Sequence, residues 1–138
     1  MLVQQTPGYG GAAFDIQGLY FTSDTNKYYF AAIVGMPQGG TTYNGDKYFL
    51  GDLLIQSGSS YQYGIVTNPN PGNGSLTAGT AGTLSATAGI LVPPGGYPSS
   101  NPVFVGGFSS TGLSSFYYVP IADTGLYFIE ASVDKSLF

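Results

Sequence analysis

The sequence predicts an all-β fold: a single antiparallel β-sandwich of jelly-roll type, with an immunoglobulin-like sandwich as the alternative. Three observations carry that expectation. Glycine (22) and proline (9) recur along the 138-residue chain and cut it into short segments. Those segments are rich in β-branched and aromatic residues, the composition of strands bounded by turns. Nowhere do apolar residues recur with a helical period between capping residues. A chain of this length encloses one core, and with 43% hydrophobic and 15% aromatic residues it has the apolar material to offset chain entropy.

Residues 1–13 read as a flexible arm or as an assembly arm that orders against a partner, Gly-rich from Gln4 onward, followed by one sandwich domain over residues 14–138. The first expected strand, Phe14–Thr22, alternates cleanly at Phe14-Asp15-Ile16-Gln17. Asp24-Thr25-Asn26 breaks it from Lys27–Val34, so the two form a hairpin. Tyr28 to Val34 is apolar on both faces, which predicts burial by the core on one side and by a partner on the other. Asn44-Gly45 accepts the positive φ angles of a tight turn between Thr41–Tyr43 and Lys47–Leu50. A strand is expected over Lys47–Gln56, and Ser57-Gly58-Ser59-Ser60 turns it into Tyr61–Thr67. Residues 68–74 (NPNPGNG) suit an exposed loop. The small-residue tract Thr77–Thr83 reads as a flexible or edge segment, or as a close contact with a neighbouring subunit. Further strands are expected over Gly82–Val92, Val103–Phe108, Ser115–Ile121 and Gly125–Val133, with a Pro/Gly loop from Val92 to Pro98.

Charge is the most unusual property. Only 7% of residues are charged, against roughly 25% in an ordinary soluble domain. Weak mutual repulsion follows, which favours close packing of copies. The net charge is −4, and Lys27, Lys47 and Lys135 are scattered, with no arginine beside them. Nucleic acid is therefore not an expected partner. No window approaches the roughly 18 apolar residues of a membrane helix. Met1–Gly11 lacks the basic start and apolar run of a secretory signal, so the expectation is assembly inside a cell or prior removal of a signal. There are no cysteines and hence no disulfide framework.

The same composition removes most catalytic chemistry. Without His, Cys or Arg there is no imidazole base, thiol nucleophile or guanidinium clamp. The carboxylates Asp15, Asp24, Asp46, Asp52, Asp123, Glu130 and Asp134 fall mostly at expected turns and strand ends, where Asp bonds the backbone. Asp46 and Asp52 are an even number of residues apart and share a strand face if that strand is continuous; both read as solvated edge positions. Asp24-x-Asn26 offers two oxygen ligands, but no Asp-rich loop or distal Glu completes a calcium site. No enzyme activity, cofactor or metal is expected.

Asp123-Thr124-Gly125 resembles the catalytic triplet of pepsin-like and retroviral aspartic proteases. Those enzymes need a long β-rich segment after the triplet, whereas Leu126 to Phe138 is short, so the triplet reads as a turn. Asp123-x-Gly125-x-Tyr127 also resembles the tyrosine corner of immunoglobulin-like sandwiches, with Ile129 at the position those domains usually fill with Cys. Tyr118-Val119-Pro120 through Gly125-Leu126-Tyr127-Phe128 is similar to the strand-turn-strand phrase of C1q-type jelly rolls. These resemblances imply a β-sandwich and carry no function across.

Twelve tyrosines and nine phenylalanines without tryptophan favour protein–protein contact over a sugar platform. The candidate subunit- or ligand-contact residues are Tyr9, Tyr28, Tyr43, Tyr61, Tyr63, Tyr97, Phe116 and Tyr118. Asn73-Gly74-Ser75 is a candidate glycosylation sequon. The expected role is a structural subunit of a viral or extracellular surface assembly, foremost an outward-facing virion protein (capsid shell, turret, decoration or fibre). Its expected partners are copies of itself, other structural chains and glycans. The alternatives are a carbohydrate-binding or adhesive module and a cellular surface filament subunit.

Overall fold

The computed structural model describes residues 11–58, 60–68, 76–85, 90–91, 104–112 and 114–137. Tyr9, Asn73, Tyr97 and most of the expected arm lie outside them.

The described elements are β-strands and two short 3-10 turns. Strands β1 (Ile16–Ser23) and β2 (Lys27–Val34) form the expected hairpin. Asp24 closes it, its Oδ1 accepting the amides of Asn26 (2.7 Å) and Lys27 (2.8 Å). A small separate hairpin follows, β3 (Thr41–Tyr43) with β4 (Asp46–Tyr48). Asn44 (φ 52°) and Gly45 (φ 89°) supply the two positive φ angles that this tight turn demands. Next come β5 (Leu53–Ser57), β6 (Ser60–Ile65), β7 (Ala81–Leu84), β8 (Ile90–Leu91), β9 (Phe104–Val105) and β10 (Phe108–Gly112). The last hairpin is β11 (Ser114–Ile121) with β12 (Leu126–Asp134).

These strands make two four-stranded antiparallel sheets and two small ribbons. The first sheet runs β1-β2-β12-β11, so the first and last hairpins meet through β2 and β12. The second runs β10-β7-β6-β5. One core cluster draws on both: Ile65 and Ala81 from the second sheet, Ala131 and Val133 from the first. Phe30, Leu53, Ile55, Phe116 and Leu137 pack against it. The expected all-β, sandwich-like architecture is therefore present. Val66, Leu84 and Val105, with Leu54, Leu76 and Phe108, form another cluster. Because side chains alternate along β6, Val66 and Ile65 face opposite ways. The second cluster thus covers the outer face of the second sheet.

Three expected strands are divided. The segment 47–56 leaves the β3–β4 ribbon after Tyr48 and enters the second sheet only at Leu53. Asp46 and Asp52 therefore do not share a strand. The expected strand from Gly82 ends at Leu84, with the Ser85 amide bonding the Gly107 carbonyl (3.0 Å) as the last contact in the β7–β10 register. The segment 103–108 breaks at Gly106-Gly107 into β9 and β10.

The tract read as a flexible or edge segment is corrected more sharply. Ala81–Leu84 is β7, an interior strand flanked by β6 and β10. Its small side chains are required from within: a Cβ on Gly82 would lie 2.0 Å from the Ser110 carbonyl oxygen. Gly79 at φ +86° carries Phe116 against its backbone in the same way. Residues 12–14, at the end of the expected arm, form a 3-10 turn fixed to the sandwich. The Gly35 amide bonds the Asp15 carbonyl (3.0 Å), and Phe14 meets Tyr43 and Tyr48 edge-on at 5.9 and 5.5 Å.

Candidate functional site

Register and strand alternation sort the first sheet into two faces. Tyr28, Phe30, Ala32 and Val34 of β2 share the inner face with Ile129, Ala131 and Val133 of β12. On the outer face one row reads Tyr20, Ala31, Glu130, Tyr117, and the next Gly18, Ile33, Phe128, Val119. Tyr20, Tyr117 and Val119 are 45%, 57% and 44% exposed. Glu130 is the sole charge in these two rows. The two outer faces of the sandwich thus differ: that of the second sheet carries an apolar cluster, and that of the first presents aromatic and aliphatic side chains to solvent.

The strand edges differ from ordinary practice as well. Among the described pairings, β1 and β11 end the first sheet and β5 and β10 end the second. None of these edge strands contains a charged residue. Lys27, Glu130 and Asp134 all sit on the interior strands β2 and β12. Soluble proteins normally place lysine or other charges on such edges to stop them pairing with a second chain.

The two seams between the sheets are also unequal. On the β11 side, Phe116 packs on Gly79, and the Leu137 side chain occupies the space over Gly112. The Tyr118 hydroxyl donates to the Met36 carbonyl (2.7 Å) while its ring stands edge-on to Tyr127 at 6.1 Å. Burial drives the Tyr118 phenol well above its usual value, with Tyr127 adding to the shift, so it stays a hydrogen-bond donor. Among the described residues the β1 side is open. A cleft of about 290 Å³ lies there between Leu19, Phe21 and Phe30 of the first sheet and Leu50, Leu53 and Ile65 opposite. Ile16 and Phe21, placed on the core face by register, remain 38% and 54% exposed. Phe21 lies against Phe30 (5.1 Å) and Tyr28 (5.7 Å, 27°).

Asp52 borders this cleft and fastens three segments together. Its Oδ1 accepts the Thr67 amide (2.8 Å) and hydroxyl (3.3 Å), and its Oδ2 accepts the Val105 amide (2.8 Å). Burial pushes the carboxyl above its ordinary value, and the donors pull it only part of the way back. The expectation of a solvated edge position is thus wrong for Asp52. Its sequence signal was the acidic residue set directly before the apolar run Leu53-Leu54-Ile55. Beside it, the Asn68 amide donates to the Leu50 carbonyl (3.1 Å), holding the chain that forms the cleft's far wall.

The candidate contact residues do not converge. Tyr28 is half-buried on the inner face, under the Lys135 ammonium at 4.9 Å from its ring. Tyr43 is on the separate hairpin and Tyr61 is the second residue of β6; they are 47% and 50% exposed. Tyr63 is half-buried in β6. Phe116 and Tyr118 face the interior. Sequence reading did not single out Ile16, Tyr20 and Phe21, the exposed large hydrophobic side chains of edge strand β1.

Asp123 (φ 59°) stands in the exposed β11–β12 turn, held by the Thr124 hydroxyl bonding the Ile121 carbonyl (2.9 Å). The Asp24 carboxylate is held below its usual value by the Tyr29 hydroxyl (2.7 Å) and the amides of Asn26 and Lys27. Its oxygens are committed to the turn, and Lys135 donates to the same residue's carbonyl. Among the described residues no group of three or more acidic side chains could hold a metal ion. No helix of the described residues is long and apolar enough to cross a membrane. Comparison with protein-family models, curated proteins and solved structures returns no match, so chemistry and geometry alone bear on function.

Proposed function

We propose that the chain is a structural subunit that associates with copies of itself in an outward-facing surface assembly, foremost that of a virion. The observation that carries this reading is the absence of charge from all four sheet edges, next to an exposed aromatic outer face. Such edges are templates for pairing, and nothing in their side chains opposes it. The outward position is favoured because three scattered lysines and no arginine offer little to a genome. On finer topology, the second sheet runs as a meander, whereas the first sets β12 beside β2, a crossover foreign to a simple up-and-down sandwich. A Greek key returns its fourth strand beside the first, whereas β10 lies beside β7.

A carbohydrate-binding module is the second reading, supported by the exposure of Tyr43 and Tyr61. Light scattering after size exclusion, over a range of concentrations, separates the two. A defined oligomer or filament is expected. A monomer at high concentration would overturn self-assembly and favour the sugar-binding reading.

A further inference from the structure

We infer that two copies of the chain join through β1, edge to edge and antiparallel, so that two four-stranded sheets become one continuous eight-stranded sheet and the two open clefts close against each other. This rests on the self-assembly reading above and specifies the surface that carries it. The occupant of the cleft mouth is thus a second copy of the same chain.

Three features select β1 among the edges. It is eight residues long, contains neither charge nor proline, and among the described residues pairs only with β2. A bulge lies between Ile16 and Gly18, but Gly18 to Ser23 continues in regular register and leaves its outward main-chain groups aligned. The seam beside it is the open one. On β1, core-facing apolar side chains remain in water, Ile16 by 38% and Phe21 by 54%, whereas on β11 Phe116 and Tyr118 are half-buried, one packed on Gly79 and the other bonded to the Met36 carbonyl. Edge β11 also carries Pro120, which lacks a donor.

Charge permits the pairing. The lone charged side chain among the residues lining the cleft is Asp52, and its carboxylate is already bonded to Thr67 and Val105. The cleft lining therefore brings no free charge to the seam. The size is sufficient as well. A strand of eight residues spans about 26 Å, and two packed sheets with their outer side chains are about 20 Å deep. That gives about 500 Å² on each copy and about 1,000 Å² in all, the lower bound of a specific interface. Strand-to-strand hydrogen bonds add direction to that contact.

The test combines mass measurement with cross-linking in a chain that has no cysteine of its own. Light scattering of the wild type is expected to give a multiple of 14.3 kDa, and Phe21→Lys to lower that mass at least twofold. Tyr117→Lys, an equally exposed aromatic on the far edge strand, is expected to leave it unchanged. In a scan of single cysteines from Gly18 to Ser23, only the position on the two-fold axis and its neighbour should oxidise to a disulfide dimer. Residues facing each other across antiparallel strands lie about 4.5–5.5 Å apart at Cα, within disulfide reach. If Phe21→Lys fails to fold, the scan decides alone. An oligomer that survives Phe21→Lys and shows no cross-link along β1 would overturn this interface while sparing the structural reading. A monomeric wild type would overturn both.

Discussion

Replacing Asp52 with alanine removes the carboxylate that ties the entry of β5 to the end of β6 and to β9. The Thr67 and Val105 amides each lose an acceptor at 2.8 Å, and the two residues are only 4% and 0% exposed. A buried donor deprived of its partner costs about 1–3 kcal/mol. Deleting a partly desolvated carboxylate returns some of that, since its burial opposes its charge. The net expectation is a loss of about 2–4 kcal/mol, a large part of the 5–15 kcal/mol typical of a domain. At this chain length that corresponds to a fall in Tm of about 10 °C. Asp52→Asn keeps one acceptor oxygen but turns an amino group towards one of the two amides, so it should lie between wild type and alanine. Urea unfolding measures the loss, and hydrogen exchange should show faster opening at Thr67 and Val105 than at Ala131 in the opposite sheet. A loss under about 0.5 kcal/mol with unchanged exchange at those amides would refute a fastening role for Asp52.

Three further outcomes follow from the same structure. The folded-state value of Asp52 is raised, so its contribution is fully present below the unfolded value, near 3.8, and is lost as pH rises through the folded one. Relative to Asp52→Asn, the wild type should gain stability as pH falls from 7 to 4; a carboxyl titration below 3.8 would contradict this. Tyr118→Phe leaves the buried Met36 carbonyl without its 2.7 Å donor and should cost about 1 kcal/mol in urea unfolding, whereas an unchanged midpoint would mean that the bond contributes nothing. Gly82→Ala forces a methyl to within 2.0 Å of the Ser110 carbonyl oxygen, and β10 must move. A loss of about 1–3 kcal/mol is expected, and a neutral variant would show that the β7–β10 spacing is soft.

Much of the fold was legible because it is local. The β1–β2 and β3–β4 turns are encoded in Asp24-Thr25-Asn26 and Asn44-Gly45, whose side chains or positive φ angles make the turn themselves. The β2 segment Lys27–Val34 coincides with its expected limits, since a β-branched and aromatic run bounded by turn residues has one simple reading. What was illegible depends on partners distant in sequence. Gly79, Ala81 and Gly82 read as a flexible tract until Phe116 and Ser110 are seen pressing on them. Asp52 looked solvated because Thr67 and Val105 are 15 and 53 positions away. The site suffered most: an exposed tyrosine and a core tyrosine are the same letter, and only register separates Tyr117 from Tyr118.

The pairing of β2 with β12 also sets a schedule. Tyr28 and Val133 are partners across roughly a hundred residues, so the first sheet closes only after nearly the whole described chain exists. Contacts of such separation form late, after a large loss of chain freedom. During synthesis β1 and β2 can make no more than an isolated hairpin, which is marginal in water. A β1 edge backed by a finished sheet is therefore the last feature to mature. In the edge-to-edge pairing proposed above, partner recognition would then wait until each copy is complete, and order of construction would keep unfinished chains out.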